Sequence, residues 1–435
     1  MAARQRPDVA IIGGGIAGCA SAYYLAKKGL SVTLLEKGEI AGEQSGRNWG
    51  FVRQQVRDPL EIPLMIACIR LWRGLEAELE ADIEWRQGGI LHLADTDAGM
   101  AKYEAWLEHA RTYQLDSRKV TGREAAELLP GMARDWVGGL YTPSDGQADP
   151  VKTTSAFAKA AARLGAEIRT GCIVQGIETA GGAVTGLRTE AGEIEAGTVL
   201  IAAGAWTSAM LRRLGLDLPQ LGVRSTVLRT SRAPEKTALG VWFPEFGFRQ
   251  RRDGAFNVGA GASVDHDIGV DTLRHAGAFW SAFRTQGHNL DLHLGRHFFE
   301  DLWVHLDRAG ALDRQMRRDR VLAPAPNARK VRRCLAGFRA MFPEFGDIDL
   351  ATSWAGVIDV TPDEVPVFGE APGLRGLVIA TGFSGHGFGM GPITGQLMAE
   401  VIAEGKPSLD LAGFRFGRFS ERAGARSGTA GLRDG

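Results

Sequence analysis

The chain has 435 residues, with 44% hydrophobic and 23% charged, a globular composition long enough for two cores. Basic and acidic residues number 51 each, so no overall field draws the protein to nucleic acid or to an anionic bilayer. Four widely spaced cysteines, Cys19, Cys68, Cys172 and Cys334, form no CxxC pair, which speaks against a disulfide framework or zinc site and points to a reducing cytoplasm.

The opening MAARQRP carries no signal-type apolar stretch, and no apolar run approaches the roughly 20 residues that span a bilayer. Membrane contact is therefore at most peripheral. Glycine is abundant, at 58 residues, as expected where a large cofactor lies against main chain.

Val9 to Ile12 reads as a fully buried parallel strand. Gly13, Gly15 and Gly18 follow in a G-x-G-x-x-G pattern, with a helix expected over Cys19 to Lys28. Gly13 suits the tight turn, Gly15 a pyrophosphate at the backbone, and Gly18 close helix–strand packing. The amides around Ile16 and Ala17, at the positive end of that helix, suit a diphosphate. Gly29 ends the helix and Val32 to Leu35 makes a second strand. Glu36 closes that strand, followed by Lys37. An acid there takes the ribose hydroxyls of an adenosine, whereas an arginine would suit a 2′-phosphate. The motif alone does not separate FAD from NAD.

Further along, a helix is expected over Thr154 to Leu164, and strands over Glu167–Thr170, Ala183–Thr189 and Val199–Ala202, the last ending in Ala203-Gly204-Ala205-Trp206. Arg249, Arg251 and Arg252 cluster beside Phe246-Gly247-Phe248, where strand alternation puts the first two on one face. The charged stretch Val264 to Lys330 carries Phe279-Trp280, Phe298-Phe299 and Trp303 at loose helical spacing, read as core packing. His293 and His297 could share a helical face with Glu300 as a third ligand, but no metal is expected. Leu377 to Thr381 is a strand, Gly382 to Gly391 a glycine-rich loop, and Ile393 to Ala403 a helix with Pro392 in its first turn. That loop would aim amides and a helix N-terminus at one spot, suited to the pyrimidine edge of a flavin. His386 within it is a base or a hydrogen-bonded structural residue. Glu421 to Gly435 reads as a fraying tail.

These segments together resemble the D-amino-acid oxidase/sarcosine oxidase superfamily, in its glycine oxidase, sarcosine oxidase and bacterial amino-acid dehydrogenase branch. The resemblance rests on IIGGGIAGCASAYYLAKKGLSVTLLEK, SGRNWGFVR, DGQADP, VLIAAGAWTSAML, WAGVIDVTPDEVPVFG and GFSGHGFGMGPITGQLMAE. It implies an α/β (α+β mixed) fold: a Rossmann-like FAD-binding domain of the glutathione-reductase type with an inserted mixed-sheet substrate domain. The division it implies is 1–50, 148–220 and 350–420 for FAD, and 51–147 and 221–349 for substrate, with 421–435 as the tail.

By position, the resemblance implies that Gly13, Gly15, Gly18 and Glu36 hold the ADP half. Ser45, Gly46, Arg47 and Asn48 would pass beside pyrophosphate and flavin, and Val174 would touch adenine. Ala203, Gly204 and Trp206 would lie near the cofactor. Trp354 and Thr361-Pro362-Asp363 would pack near the ring, which Gly382, Phe383, Gly385, His386 and Gly387 would line. Arg53 is the implied substrate-side arginine; from the residues themselves any one of Arg249, Arg251 and Arg252 is an alternative anchor, with Arg57 and Glu61 secondary candidates.

Three departures matter. Trp354 to Asp363 contains no cysteine, so FAD is expected to be non-covalent. Gly389 replaces a carboxylate-binding lysine of sarcosine oxidases. Asn257 stands nearest the place of their oxygen-activating lysine, which favours a dehydrogenase over an oxidase. The expected activity is hydride removal from the Cα–N bond of a small amino acid or N-substituted amino acid, giving an imine. The electron acceptor is oxygen or another molecule, and the oligomeric state is open. Alternatives are a flavin dehydrogenase of 2-hydroxy acids and an FAD subunit of a larger electron-transfer complex.

Overall fold

The structure, a computed structural model, describes residues 6–306 and 310–422. Most of the expected tail, 421–435, lies outside the described residues; Arg418–Arg422 is helical.

Short runs of buried aliphatics build the first sheet. Val9–Ile12 lies between Val32–Leu35 and Thr198–Ile201, parallel to both. Leu377–Thr381 continues the parallel ladder beside Thr198–Ile201, and Glu167–Arg169 extends it beside Val32–Leu35. Val367–Glu370 closes the far edge antiparallel. All four residues of Val9–Ile12 and of Val32–Leu35 are buried, as in strands covered on both faces. On one face the helices Ile16–Lys27, Pro150–Arg163, Ile62–Leu79 and Gly387–Glu404 share a core with Leu25, Phe157, Trp72 and Leu397. On the other lies a three-stranded antiparallel sheet, Val174–Ala180, Ala183–Thr189 and Gly192–Glu195, packed through Leu187 and Ile194 onto Val199 and Ile379.

The second sheet is mixed and has ten strands among the described residues. Its pivot is Leu221–Arg232, which Leu350–Val360 accompanies antiparallel from Leu221↔Val360 to Thr230↔Leu350. Ala255–Gly259 and Val264–Asp267 also pair with the pivot, and Leu290–His293 lies beside the latter. Gly247–Gln250, Gly240–Trp242, Ile90–Ala94, Gly138–Thr142 and Arg118–Thr121 complete the sheet. Phe243, Phe248 and Phe256 pack beneath the helix Ala328–Met341 against Phe338, with Phe342 just beyond it. Each such ring contributes about 1.5–3 kcal/mol of burial.

The first helix begins at Ile16, three residues ahead of expectation, because Gly15 already serves as its N-cap. Leu350–Val360 belongs to the second sheet, although the sequence placed position 350 onward with the first. The helix expected from Ile393 starts at Gly387 and keeps Pro392 inside it. A Cβ on Gly391 would sit 2.2 Å from Ile16 Cγ1, and one on Gly395 2.5 Å from Ala20 Cβ. Those glycines let two helices touch; they do not mark a loop.

Arg251 and Arg252 fall beyond the end of Gly247–Gln250, so strand alternation does not reach them. Arg251 pairs with Asp149 at 3.0 Å and Arg252 with Asp82 at 2.8 Å. His293 ends a strand and bonds Asp265 at 2.8 Å, while His297 lies in the helix Arg296–Leu306, so they share no helical face. Trp280, Phe299 and Trp303, expected in the core, are 59%, 63% and 65% exposed. Among the described residues no helix is long and apolar enough to cross a membrane.

Candidate active site

A cavity of about 580 Å³ opens at the carboxyl ends of the parallel strands and runs to the second sheet, within the range of cofactor and ligand sites. Its floor is the glycine turn. Gly13 has φ +113°, and a Cβ there would lie 2.3 Å from Ala202 O, so backbone lines this point and no side chain fits. Gly15, Ile16 and Ala17 line the next stretch. Ile16 N donates to Ser45 Oγ at 2.8 Å, which fixes the helix start against the Gln44–Arg47 turn.

Glu36 receives Gly14 N at 2.7 Å and Gly38 N at 2.6 Å, one on each carboxylate oxygen. Burial raises its pKa, and the two amide donors oppose that. Each oxygen keeps lone pairs for a vicinal diol. Val174, Ala203 and Gly204 also line the cavity. Lys37 lines it but is occupied at the rim: its Nζ bonds Glu43, Asp319 O at 2.8 Å and Arg320 O at 2.9 Å, and sits 4.6 Å over Trp206. Trp206 in turn donates to Glu43 at 3.0 Å.

Arg47 spans the cavity wall, donating to Gly42 O at 2.9 Å and Ala355 O at 3.2 Å, and Trp354 Nε1 donates to Arg47 O at 2.9 Å. Asn48 holds the turn through Gln44 O and Ser45 O. Among the described residues that line the cavity, Gly18, Gly46, Trp354 and Gly382 are absent; they shape its walls from behind. A Cβ on Gly18 would meet Gly13 O at 2.0 Å and one on Gly46 would meet Ala41 O at 2.1 Å. Gly382, at φ +71°, donates its N–H to Asp359 at 2.7 Å.

Asp359 was not singled out by the sequence. It is fully buried, also accepts from Gln220 at 2.9 Å and Thr381 at 3.1 Å, and burial pushes its carboxyl up to about 6. It ties the second sheet to the Gly382 turn. Phe383, Gly385, His386 and Gly387 line the cavity from that turn.

At the far end stand two buried guanidiniums. Arg53 is 5% exposed, donates to Gln55 O at 2.8 Å and lies 5.8 Å over the Trp242 ring. Burial, then the neighbouring Arg57, pushes its pKa down to about 9. Arg57 donates Nε–H to Arg53 O at 3.2 Å, and its buried Nη1 has no hydrogen-bond partner among the described residues. Glu61, also fully buried, lies 3.3 Å from His386 Nδ1. Burial foremost, then Arg57, pushes His386 down to about 4, so its ring is neutral at ordinary pH. Asp145, the first residue of DGQADP, accepts Gln54 N at 2.7 Å and Gln55 N at 3.2 Å, and burial pushes it up to about 7. Trp49 stacks on Trp242 at 4.7 Å and Phe51 meets Trp49 edge-on, roofing this end with aromatic rings.

Arg249 does not line the cavity. It lies behind the wall, 1% exposed, with Nε donating to Trp49 O. Asn257 is buried beside it, paired with Arg229 and Arg249 across the sheet. Gly389 is buried too, its carbonyl taken by Trp72 Nε1 at 2.9 Å. Arg57, Asp145 and Asp359 are the functional candidates the motifs underweighted, since each acts through a fold-made neighbour.

A dinucleotide cradle and a mixed-sheet chamber sharing one cavity define a two-part flavoprotein oxidoreductase. The chain belongs to the FAD dependent oxidoreductase family (DAO), whose model matches residues 8–401. Sarcosine dehydrogenase of Homo sapiens mitochondria is 27% identical over 436 residues, covering 95% of this chain and 41% of that protein. The chain thus spans less than half of that relative. D-amino acid dehydrogenase of Paramagnetospirillum magneticum is 26% identical over 472 residues, covering 95% and 99%. The structure of L-amino acid deaminase from Proteus myxofaciens in complex with anthranilate matches with TM-score 0.89 and 30% identity, over 95% of this chain and 94% of that one.

Proposed function

We infer that the protein oxidises the Cα–N bond of an amino acid or N-substituted amino acid whose carboxylate is held by Arg53. FAD, once bound, supplies the two-electron oxidant. The glycine turn and the start of the helix Ile16–Lys27 present amides to its diphosphate, and Glu36 takes the ribose hydroxyls. Ala203, Gly204 and the turn from Gly382 to Gly387 frame the ring. The residues present fit that group, because Gly13 leaves no room for a side chain and Glu36 is already anchored on two amides. The lining residues Gly356, Val357, Ile358 and Val360 include no cysteine, and among the described lining residues the cysteine is Cys172, two residues before Val174. This supports a non-covalent cofactor.

The carrying observation is the paired guanidiniums of Arg53 and Arg57. They share a buried site with Glu61 and with Asp145, whose carboxyl is only partly ionised near neutrality. The two guanidiniums repel each other, so an anion placed between them lowers the energy of the site. A planar carboxylate is matched by two parallel guanidinium bonds. Trp49, Phe51 and Trp242 exclude water from the reacting carbon. His386, neutral and held through Glu61, orients the turn beside the ring.

We extend this reading to the division of the chain: 1–50, 148–220 and 361–420 around the cofactor, with 51–147 and 221–360 forming the substrate part. Four buried cysteines without disulfides support a reducing compartment, the cytoplasm.

The test is anaerobic loss of the visible flavin absorbance on mixing the yellow protein with amino acids, N-alkyl amino acids and 2-hydroxy acids. Bleaching by an amino acid with release of ammonia or alkylamine supports the proposal. Bleaching by hydroxy acids alone, or by nothing in the panel, overturns it.

A further inference from the structure

One arm of the cavity runs along a face of the second sheet. Register places Ile358 beside Val223, and Gly356 beside Ser225. Arg224 pairs with Asp265, so the next neighbours are His266 and Val264, which pair in turn with Leu292 and Leu290. Every one of these eight residues lines the cavity. They form one face of four adjacent strands, about 14 Å across at ~4.8 Å per strand. The strip starts where a Cβ on Gly385 would lie 3.8 Å from Ile358 Cδ1, beside the turn that frames the ring.

The helix Ala276–Gln286 roofs the strip with Phe279, Trp280 and Phe283. Trp280 and Phe283 are also 59% and 46% exposed, so they form the outer end of the arm. The described cavity-lining residues between 221 and 292 include no Lys, Arg, Asp or Glu. His266 is the titratable one, and both its ring nitrogens are engaged, with Gly222 O at 2.8 Å and Thr272 Oγ1 at 2.9 Å.

We propose that this arm receives the substrate's side chain and selects a bulky, uncharged, apolar one, aliphatic or aromatic, in place of the small side chain the sequence led us to expect. The inference rests on the amino-acid reading above. A glycine or alanine leaves the arm without partner atoms, and a missing methylene slows the smaller substrate by a factor of about 10–200 in a well-formed apolar pocket. A charged side chain meets no counter-ion there and must shed its water. Leucine- and phenylalanine-sized substrates therefore outrun alanine by at least about 30-fold in the second-order rate of flavin reduction, and aspartate and lysine by more.

The test measures anaerobic flavin reduction across Gly, Ala, Leu, Phe, Asp and Lys, as both enantiomers and as N-methyl forms. Binding of benzoate-type carboxylates to the oxidised protein, followed by perturbation of the flavin spectrum, gives a second readout independent of turnover. Phe283→Arg adds a cation at a position 46% exposed, with melting temperature and FAD content as checks that the fold is kept. It lowers the rate with Phe at least tenfold, raises that with Asp, and weakens the larger of two aromatic carboxylates more than the smaller. Gly or Asp reacting as fast as Leu and Phe would overturn the side-chain assignment while leaving the amine reading intact. An unchanged ranking in Phe283→Arg would overturn it equally. Reduction by no amino acid of any size would instead remove the reading on which it rests.

Discussion

Replacing Arg53 by methionine isolates the carboxylate anchor. Methionine keeps an unbranched stem of similar length, so the substitution removes a charge, its donors and its place over the Trp242 ring more than it removes volume. In wild type the guanidinium is 5% exposed, donates to Gln55 O and lines the cavity, where its planar fork suits a bidentate carboxylate. Removing one partner of a buried, hydrogen-bonded charge pair costs about 2–4 kcal/mol. That corresponds to roughly a 30- to 1000-fold loss in kcat/KM, or in the second-order rate of anaerobic reduction. Arg53→Lys keeps the charge but not the planar fork, and loses about tenfold. The assay is stopped-flow reduction under nitrogen, with FAD stoichiometry and melting temperature as controls. Full FAD content with a rate within threefold of wild type in Arg53→Met would refute the assignment and pass the anchor to Arg57.

Gly13→Ala forces a side chain into φ +113° and to 2.3 Å from Ala202 O, so the purified variant is expected colourless, its FAD-to-protein ratio down at least tenfold by absorbance. Glu36→Gln keeps the shape but loses one anionic acceptor, and FAD affinity measured by fluorescence titration falls about tenfold, near 1.4 kcal/mol. Asp145 stands at about 7 against an ordinary 3.8, so the folded state holds its proton more tightly than the unfolded chain. Its stabilising share is complete below about pH 4 and is lost as pH rises through 7. The fall in melting temperature between pH 5.5 and 8 should shrink in Asp145→Asn; an unchanged fall would discredit the shift. With His386 at about 4, the ring is uncharged from pH 6 to 8, and His386→Asn is expected to keep the shape of the wild-type pH profile for flavin reduction over that range.

Much of the cofactor half was legible because it depends on local rules. Val9–Ile12, Val32–Leu35 and Leu377–Thr381 fall where short aliphatic runs placed them, since a buried parallel strand advertises itself by composition. Gly13, Gly15 and Gly18 carry their roles in their spacing. Gly387, Gly389 and Gly391 misled because their close contacts with Phe383, Val52 and Ile16 inside a helix are invisible in a one-dimensional pattern. Likewise Arg249 and Arg53 look alike in sequence, yet one supports Trp49 from behind and the other faces the cavity. The aromatics from Phe279 to Trp303 obey helical periodicity, but the helices that carry them have water or the cavity on the side where a core was assumed. Asp359 and Asp145 show no local signal of burial; only the strands that close around them create it.

The ladder that cradles the cofactor joins Val9–Ile12 to Leu377–Thr381 through Thr198–Ile201, so strands two places apart in the sheet are made far apart in time. At about 5–20 residues per second of synthesis, the ribosome needs roughly 20–70 s to travel from the first strand to the last. Through that interval the edge of Thr198–Ile201 has no native neighbour, and the glycine turn has half its walls. The cradle is therefore incomplete until Leu377–Thr381 has left the ribosome, which makes cofactor capture a late step in the making of each molecule.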